Sequence, residues 1–551
     1  MRAMFSRRPC APISATSHCP RAAALALIVA AACGSGSDPY SPGADLPASD
    51  TDALRFLQRA TFGPDDASLQ RVQYLGYATW LQEQMELPPS FEEPWLASLA
   101  GNGTALSQRD RQEVWWRNAI RGRDQLRQRI ALALSEIFVV SDRNDALADD
   151  VVGLASYYDM LSQHAFGSYR DLLEQVTLHP MMGVYLGMLR NRKPDPLRNI
   201  RPDENYAREV MQLFSIGLVE LNQDGTSRLD GGGNEIATYT QADIEGLAHV
   251  FTGWNYAGAT SWSGASPNNL PMAPNESFHD RDQKVIVGGA VFAAGRDARP
   301  ELDDALDVLS FHPNVAPFLS RQLIQRLVTS NPTPAYVARV AAVWADDGEG
   351  QRGNLGAVVR AILLDDEAMH GQLRAPATFG KLREGLLQQT AVWRLCHARA
   401  QNGLYAFSNP ESSFGQAALR ADTVFNFFRP DYVPQGELST LSLAAPEFQV
   451  LDQNTAIASN NQLYRSTVTN WLGRTGAAAG DVLIDVGALT TLAADPEALI
   501  AFLDRWLLAN AMPAALAQIL RDHMVAVTDP RRRATECLWL VATSPQFAVQ
   551  K

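Results

Sequence analysis

The stretch "RPDENYAREVMQLFSIGL", Arg201 to Leu218, decides how the rest of the chain is read. At about 100° per residue, Tyr206, Ala207, Val210, Met211, Leu213 and Phe214 fill one arc of a helix over 204–214. Glu204, Asn205, Arg208, Glu209 and Gln212 fill the other arc. An apolar arc with no polar intruder marks a helix packed by one face. Asp203 is placed to cap it, and Glu204 in the first turn suits the positive end of the helix dipole. The polar arc leaves three readings open. It is a structural seam between helices, a solvated face, or a site in which Glu204 or Glu209 acts as base or cation ligand. Arg208, flanked by two carboxylates, is expected to be a buried partner whose loss would strand charge.

Helical periodicity continues on both sides. "DTDALRFLQRATFG" starts on an Asp or Thr cap and stops at Gly63. "DDASLQRVQYLGYATWLQEQM" gives two short helices broken at Gly76. "RDRQEVWWRNAIRGRDQLRQRIALALSEIFVVS" reads as one long helix, with Arg on one side and Trp115, Ile120, Leu126, Ile130, Leu134 and Phe138 toward a core. "TQADIEGLAHVFTGW" is a helix capped by Thr240 with Asp243 at its third position, and Ile244, Leu247, Ala248 and Phe251 form its stripe. Two pieces break the pattern. "ELNQDGTSRLDGGGNEIATYT" reads as a β-hairpin or long loop, and "KVIVGGAVF" as the best strand. The expected fold is predominantly α: a large multi-helix body over 50–551, with a small β-hairpin, one extra short strand and a point of subdivision near 260–300.

The first residues are not fold. Arg2, Arg7, Arg8 and Arg21 precede an apolar run from Ala22 to Ala32, too short to span a bilayer. Residues 1–32 therefore read as an export signal. Cys33, followed by "GSGSD", stands where a bacterial lipoprotein would be acylated; ordinary cleavage after "AAA" is the other reading. Residues 33–49, rich in Gly, Ser, Pro and Asp, form a tether. Gly34 after the cysteine fits delivery to an outer membrane; the expected location is the outer membrane or periplasm. A net charge of −13 argues against a nucleic-acid partner, which needs a basic surface. Cys396 and Cys537 remain for the folded body, and spacing does not say whether they pair.

Histidines mark the other candidate chemistry. His279 and Asp280, in "FHDRDQKVIVGG", follow the long loop Trp254–Asn275. His279 is a candidate general base or metal ligand beside Glu204 and Glu209. His249, on the Thr240 helix but off its apolar stripe, can face the polar arc. His179-Pro180 and His312-Pro313 read instead as helix-end contacts. Glu220, Asn222, Asp224 and Gly225 imitate part of a calcium loop, but Gly231 stands where the final Glu is needed, so a turn is the better reading. "VFNFFRPDY" reads as core plus turn, with Arg429 able to bind a carboxylate or phosphate. No G-x-S-x-G, H-E-x-x-H or P-loop pattern is present. The constellation names neither a metal nor a cofactor.

The pieces "FLQRATFGP", "HAFGSYRDLLEQVTLHPMMGVYLG", "ENYAREVMQLFSIGL", "YTQADIEGLAHVFTGW", "FHDRDQKVIVGG", "FHPNVAPFLSRQLIQRLV", "VFNFFRPDY", "APEFQ" and "ATSPQFAVQ" run in order from Phe56 to Gln550. Together they resemble the bacterial domain of unknown function 1800 family. The resemblance implies a mostly helical protein, secreted or lipid-anchored, with no activity attached. It also implies a neighbouring exported family that resembles sulfatases, so a secreted sulfatase-like protein is the expected partner. An accessory or binding protein of the envelope is the leading expectation; a hydrolase with Glu204, Glu209 and His279 in its site is the alternative.

Overall fold

The apolar arc of 204–214 is the buried one. In the computed structural model, which describes residues 41, 43–101, 103, 105–264 and 269–551, the helix Asn205–Gln212 buries Tyr206, Ala207, Val210 and Met211. Asp203 accepts a hydrogen bond from the Asn205 N–H at 2.8 Å, but the N-cap position expected for it is taken by Glu204, whose side chain makes no cap bond. Pro42–Lys551 forms one compact unit, within which the 260–300 segment packs. The export signal and Cys33 lie outside the described residues.

Helices dominate, joined by short antiparallel pairs. Trp254–Asn255 pairs with Ala273–Pro274, Lys284–Ile286 with Ala290–Phe292, and Lys381–Leu382 with Val549–Gln550. The first pair closes the neck of the long loop. The last ties the end of the chain to its middle, with Lys381 opposite Gln550. No described helix is long and apolar enough to cross a membrane.

Three local expectations are revised. The single strand of "KVIVGGAVF" is a hairpin, because Gly288 (φ 73°) and Gly289 (φ 70°) supply the left-handed backbone that a tight turn needs. The 220–240 segment carries isolated antiparallel bridges, Leu221 to Ser227 and Leu229 to Glu235 among them, instead of two continuous strands. The long helix divides into Gln108–Arg121 and Gln125–Ser135. Gly122 starts the break, and Asp124 spends its carboxylate on the Ser90 N–H at 2.8 Å. Part of the arginine side of these two helices is buried as well: Arg111 pairs with Asp142 at 3.2 Å, and Arg129 donates to the Arg326 carbonyl at 2.6 Å.

The rest follows the sequence closely. Gly76 separates Asp66–Leu75 from Tyr77–Glu86. The first helix, Asp50–Ala60, is capped by Ser49, one residue before the expected cap. Thr240 and Asp243 form the capping box of Gln241–Val250. His179 accepts from the Met181 N–H at 3.3 Å and His312 from the Asn314 N–H at 3.2 Å, so both His-Pro pairs are helix-end contacts. Edge-to-face rings fill part of the core: Trp115 on Trp116 at 5.0 Å and Trp116 on Trp393 at 5.3 Å. Cys396 and Cys537 are buried and unpaired.

Candidate functional site

The polar arc of the Asn205–Gln212 helix splits into separate environments. Glu204 and Arg208 pair at 3.1 Å, with side chains 37% and 40% exposed. Gln241 also donates to Glu204, at 2.9 Å. Asn205 faces solvent. Arg208 is thus a surface partner, which corrects the expectation of a buried one: its long side chain leaves the helix toward water. Glu209 turns inward, and its Oε2 is buried without a hydrogen-bond partner. Burial pushes its carboxyl up, against the pull of Arg208. Burial and the Glu209 charge push the Tyr185 hydroxyl up to about 12.

His249, His279 and Asp280 meet elsewhere, around Thr252. Gly246 lets the Gln241–Val250 helix lie on the hairpin: a Cβ there would stand 1.9 Å from the Val285 carbonyl oxygen. That contact brings His249 to Asp280, and the ring Nδ1 bonds Asp280 Oδ2. The Thr252 hydroxyl donates to the His249 carbonyl at 2.7 Å and accepts from the Asp280 N–H at 2.8 Å. Burial raises the Asp280 carboxyl, but the His249 hydrogen bond, the Asp282 N–H and the charges of His249 and Lys284 prevail and hold it down to about 2. His279 donates from Nδ1 to the Thr252 carbonyl at 2.9 Å. Its Nε2 lies 3.1 Å from Glu301 Oε2, and Lys284 Nζ lies 2.8 Å from the same oxygen. Lys284 also donates to the carbonyls of Asp280 and Asp282, at 2.7 and 3.1 Å. The side chains of His279 and Glu301 are 0% exposed, so no solute reaches them in this structure. Chemically this knot fixes the hairpin to the first turn of the Ala298–Phe311 helix, where a carboxylate suits the dipole. Among the described residues no group of three or more His, Cys, Asp or Glu side chains is placed to hold a metal ion.

A different part of the molecule holds an open cavity of about 380 Å³. Gln212 and Leu213, at the end of the ENYARE helix, form one wall. Phe318, Arg321 and Gln322, on the Val315–Leu327 helix, form the second, and Phe425, Phe428 and Arg429 the third. Leu218 and Phe425 are 55% and 46% exposed at its mouth. Arg429 pairs with Asp431 at 3.5 Å. Gln325 ties the third wall in place, donating to the Pro430 carbonyl at 3.0 Å. "VFNFFRPDY", expected as core plus turn, therefore lines a cavity with Phe425, Phe428 and its arginine.

Glu136, the C-cap of Gln125–Ser135, also lines this cavity and opens onto a buried charge network. Arg326 Nε stands 3.4 Å from Glu136 Oε2. Lys381 Nζ stands 3.4 Å from Glu384 Oε1 and 2.9 Å from Glu447 Oε1. Gln416 donates to Glu384 at 2.9 Å. Both carboxyl oxygens of Glu136 are buried without a hydrogen-bond partner, and the Glu384 carboxylate acts on them electrostatically. Burial and the Glu384 charge push Glu136 well up. Burial acts on Glu384 in the same direction, but the charges of Lys381 and Arg129 outweigh it and hold Glu384 down. Glu136 is thus pushed toward its protonated form and Glu384 toward its ionised form.

The family described as protein of unknown function (DUF1800) matches residues 55–549. The chain belongs to the DUF1800 family. No curated protein and no solved structure matches it. In this DUF1800 member, four of the segments that carry the resemblance, around Gln212, Gln322, Arg429 and Glu447, converge on the cavity and the network behind it. Sequence reasoning passed over Glu136, Arg326, Lys381 and Glu384. Each sits in an amphipathic or turn context that reads as surface. The one available signal was a charge inside an apolar run, as in "ALALSEIFVV".

Proposed function

We propose that this DUF1800 protein is an exported, envelope-attached binding protein whose ligand enters the cavity between Gln212, Phe318 and Phe425. The observation that carries the reading is the cavity itself: an apolar, solvent-open space with Arg321 and Arg429 on its walls. Its ligand is a small apolar molecule bearing an acidic group. Attachment is supported by the basic, apolar and small-residue order ending at Cys33. The sulfatase-like partner is supported by the family resemblance. An apolar anionic dye, 8-anilinonaphthalene-1-sulfonate, tests the cavity. Binding to the full chain is expected to saturate and to weaken about tenfold in Phe425→Ala, a loss of about 1.4 kcal/mol. Linear, unsaturable fluorescence, or equal affinity in the variant, overturns the reading.

One observation favours a hydrolase as the second reading: the Glu136 carboxyl, pushed toward its protonated form by burial and the Glu384 charge, lies at the cavity wall, a setting that suits acid catalysis. Glu204, Glu209 and His279 are not gathered at one cavity, so the enzyme reading rests on Glu136. It expects turnover of nitrophenyl sulfate or ester probes that Glu136→Gln abolishes. Saturable dye binding without turnover leaves the binding protein.

A further inference from the structure

Beyond the Lys381–Leu382 strand the chain turns, and Arg383 leaves the carboxyl network behind. Its guanidinium stacks on the Phe547 ring, 4.4 Å from the centroid. The residue is only 4% exposed. Nη2 donates to Gln58 Oε1 across a long 3.4 Å, and the buried Nη1 has no partner. Burial, with no acid opposing it, pushes this guanidinium down to about 10. A buried cation without a counter-charge is costly, and ordinary folds avoid it.

Arg383 and Gln58 line a second cavity of about 380 Å³, which shares no lining residue with the first. Arg55 and Lys551 line it too, and no Asp or Glu does. Arg55 is half-buried, on the same helix as Gln58, and Asp52, three residues back, is the acid that acts on it. Lys551 donates to the Pro376 carbonyl at 2.8 Å. The remaining wall is apolar, with Leu507, Leu508 and Val549. In a chain of net charge −13, a cavity lined by three basic side chains and by no Asp or Glu side chain runs against the general charge.

We infer that this cavity is a binding site for a small oxyanion, a carboxylate or a phosphate, held by the free edge of the Arg383 guanidinium and closed by Arg55. A guanidinium edge presents parallel N–H donors that match two oxygens of either group. The apolar wall accommodates a short hydrocarbon attached to the anion. The site is separate from the dye-binding cavity, so Phe425→Ala leaves it intact and either proposal can fail alone.

Thermal unfolding of the full chain tests the inference, with inorganic phosphate in one arm and butyrate in the other. Ionic strength is held constant with sodium chloride. A saturable rise in Tm with either probe is expected, and the arm that responds identifies the oxyanion. Arg383→Met, which keeps contact with Phe547, is expected to abolish the rise. Arg55→Gln is expected to weaken the apparent Kd about tenfold, the loss of one charge-assisted bond. Should Arg383→Met fail to fold, Arg55→Gln decides. A rise that merely follows ionic strength, no rise in either arm, or wild-type affinity in Arg55→Gln overturns the site.

Discussion

Arg208 and Lys284 carry the same charge in opposite settings. Arg208 holds Glu204 in water, where a pair at i,i+4 contributes little. Lys284 is 3% exposed at its side chain and sits on a carboxylate that is 0% exposed. Removing Arg208 costs two side chains a mobile contact; removing Lys284 takes its cation from the buried Glu301 carboxyl and leaves that group with His279 alone. Arg208→Ala should therefore lower stability by about 0.2–1 kcal/mol. Lys284→Ala should lower it by about 3–5 kcal/mol. Urea unfolding of both variants checks the contrast, and equal midpoints would refute it. The sequence marked Arg208, because "NYARE" announces an ion pair, and nothing local marked the lysine of "DQKVIV".

Between elements, the carboxyl pair joins the end of Gln125–Ser135 to the turn before Gly385–Leu395. Glu136 has its folded pKa raised above its ordinary value of 4.5. The protonated form therefore binds its proton more tightly in the fold. Its stabilising contribution is complete below pH 4.5 and is lost as pH rises through the raised pKa. Glu136→Gln imitates the protonated carboxyl and does not titrate. The variant should match the wild type near pH 4 and gain on it as pH rises to 8, by up to about 1.4 kcal/mol for each unit by which the pKa is raised. Urea midpoints across that range test this; a difference that does not change with pH would contradict a raised Glu136 carboxyl. Glu384, ionised in both proteins, cancels from the comparison.

At the scale of the whole molecule, the helical body and its N-terminal segment pose separate questions. The body supplies the cavities, whereas the proposed attachment rests on residues before it. If Cys33 is acylated, wild-type protein should sediment with membranes and Cys33→Ser should appear in the soluble fraction. Intact mass of the purified protein gives an independent reading. A wild type that is already soluble and lacks the lipid mass would remove the anchor and leave ordinary cleavage after "AAA".

Periodicity alone determined that this chain is mostly helical, because one-faced burial writes itself into local spacing. The stripe of Ile244, Leu247, Ala248 and Phe251, the break at Gly76 and the Thr240–Asp243 cap needed nothing beyond neighbouring residues. The hairpin over 284–292 was half legible: its β-branched residues showed, while its turn depended on recognising two left-handed glycines. What tertiary structure alone decided is which charges are buried and which groups share a space. His279 meets Glu301 and Lys284 through the packing of a hairpin on a helix, and Glu136 meets Glu384 across 248 residues. Burial of a charge depends on partners distant in sequence, and local patterns carry no record of them.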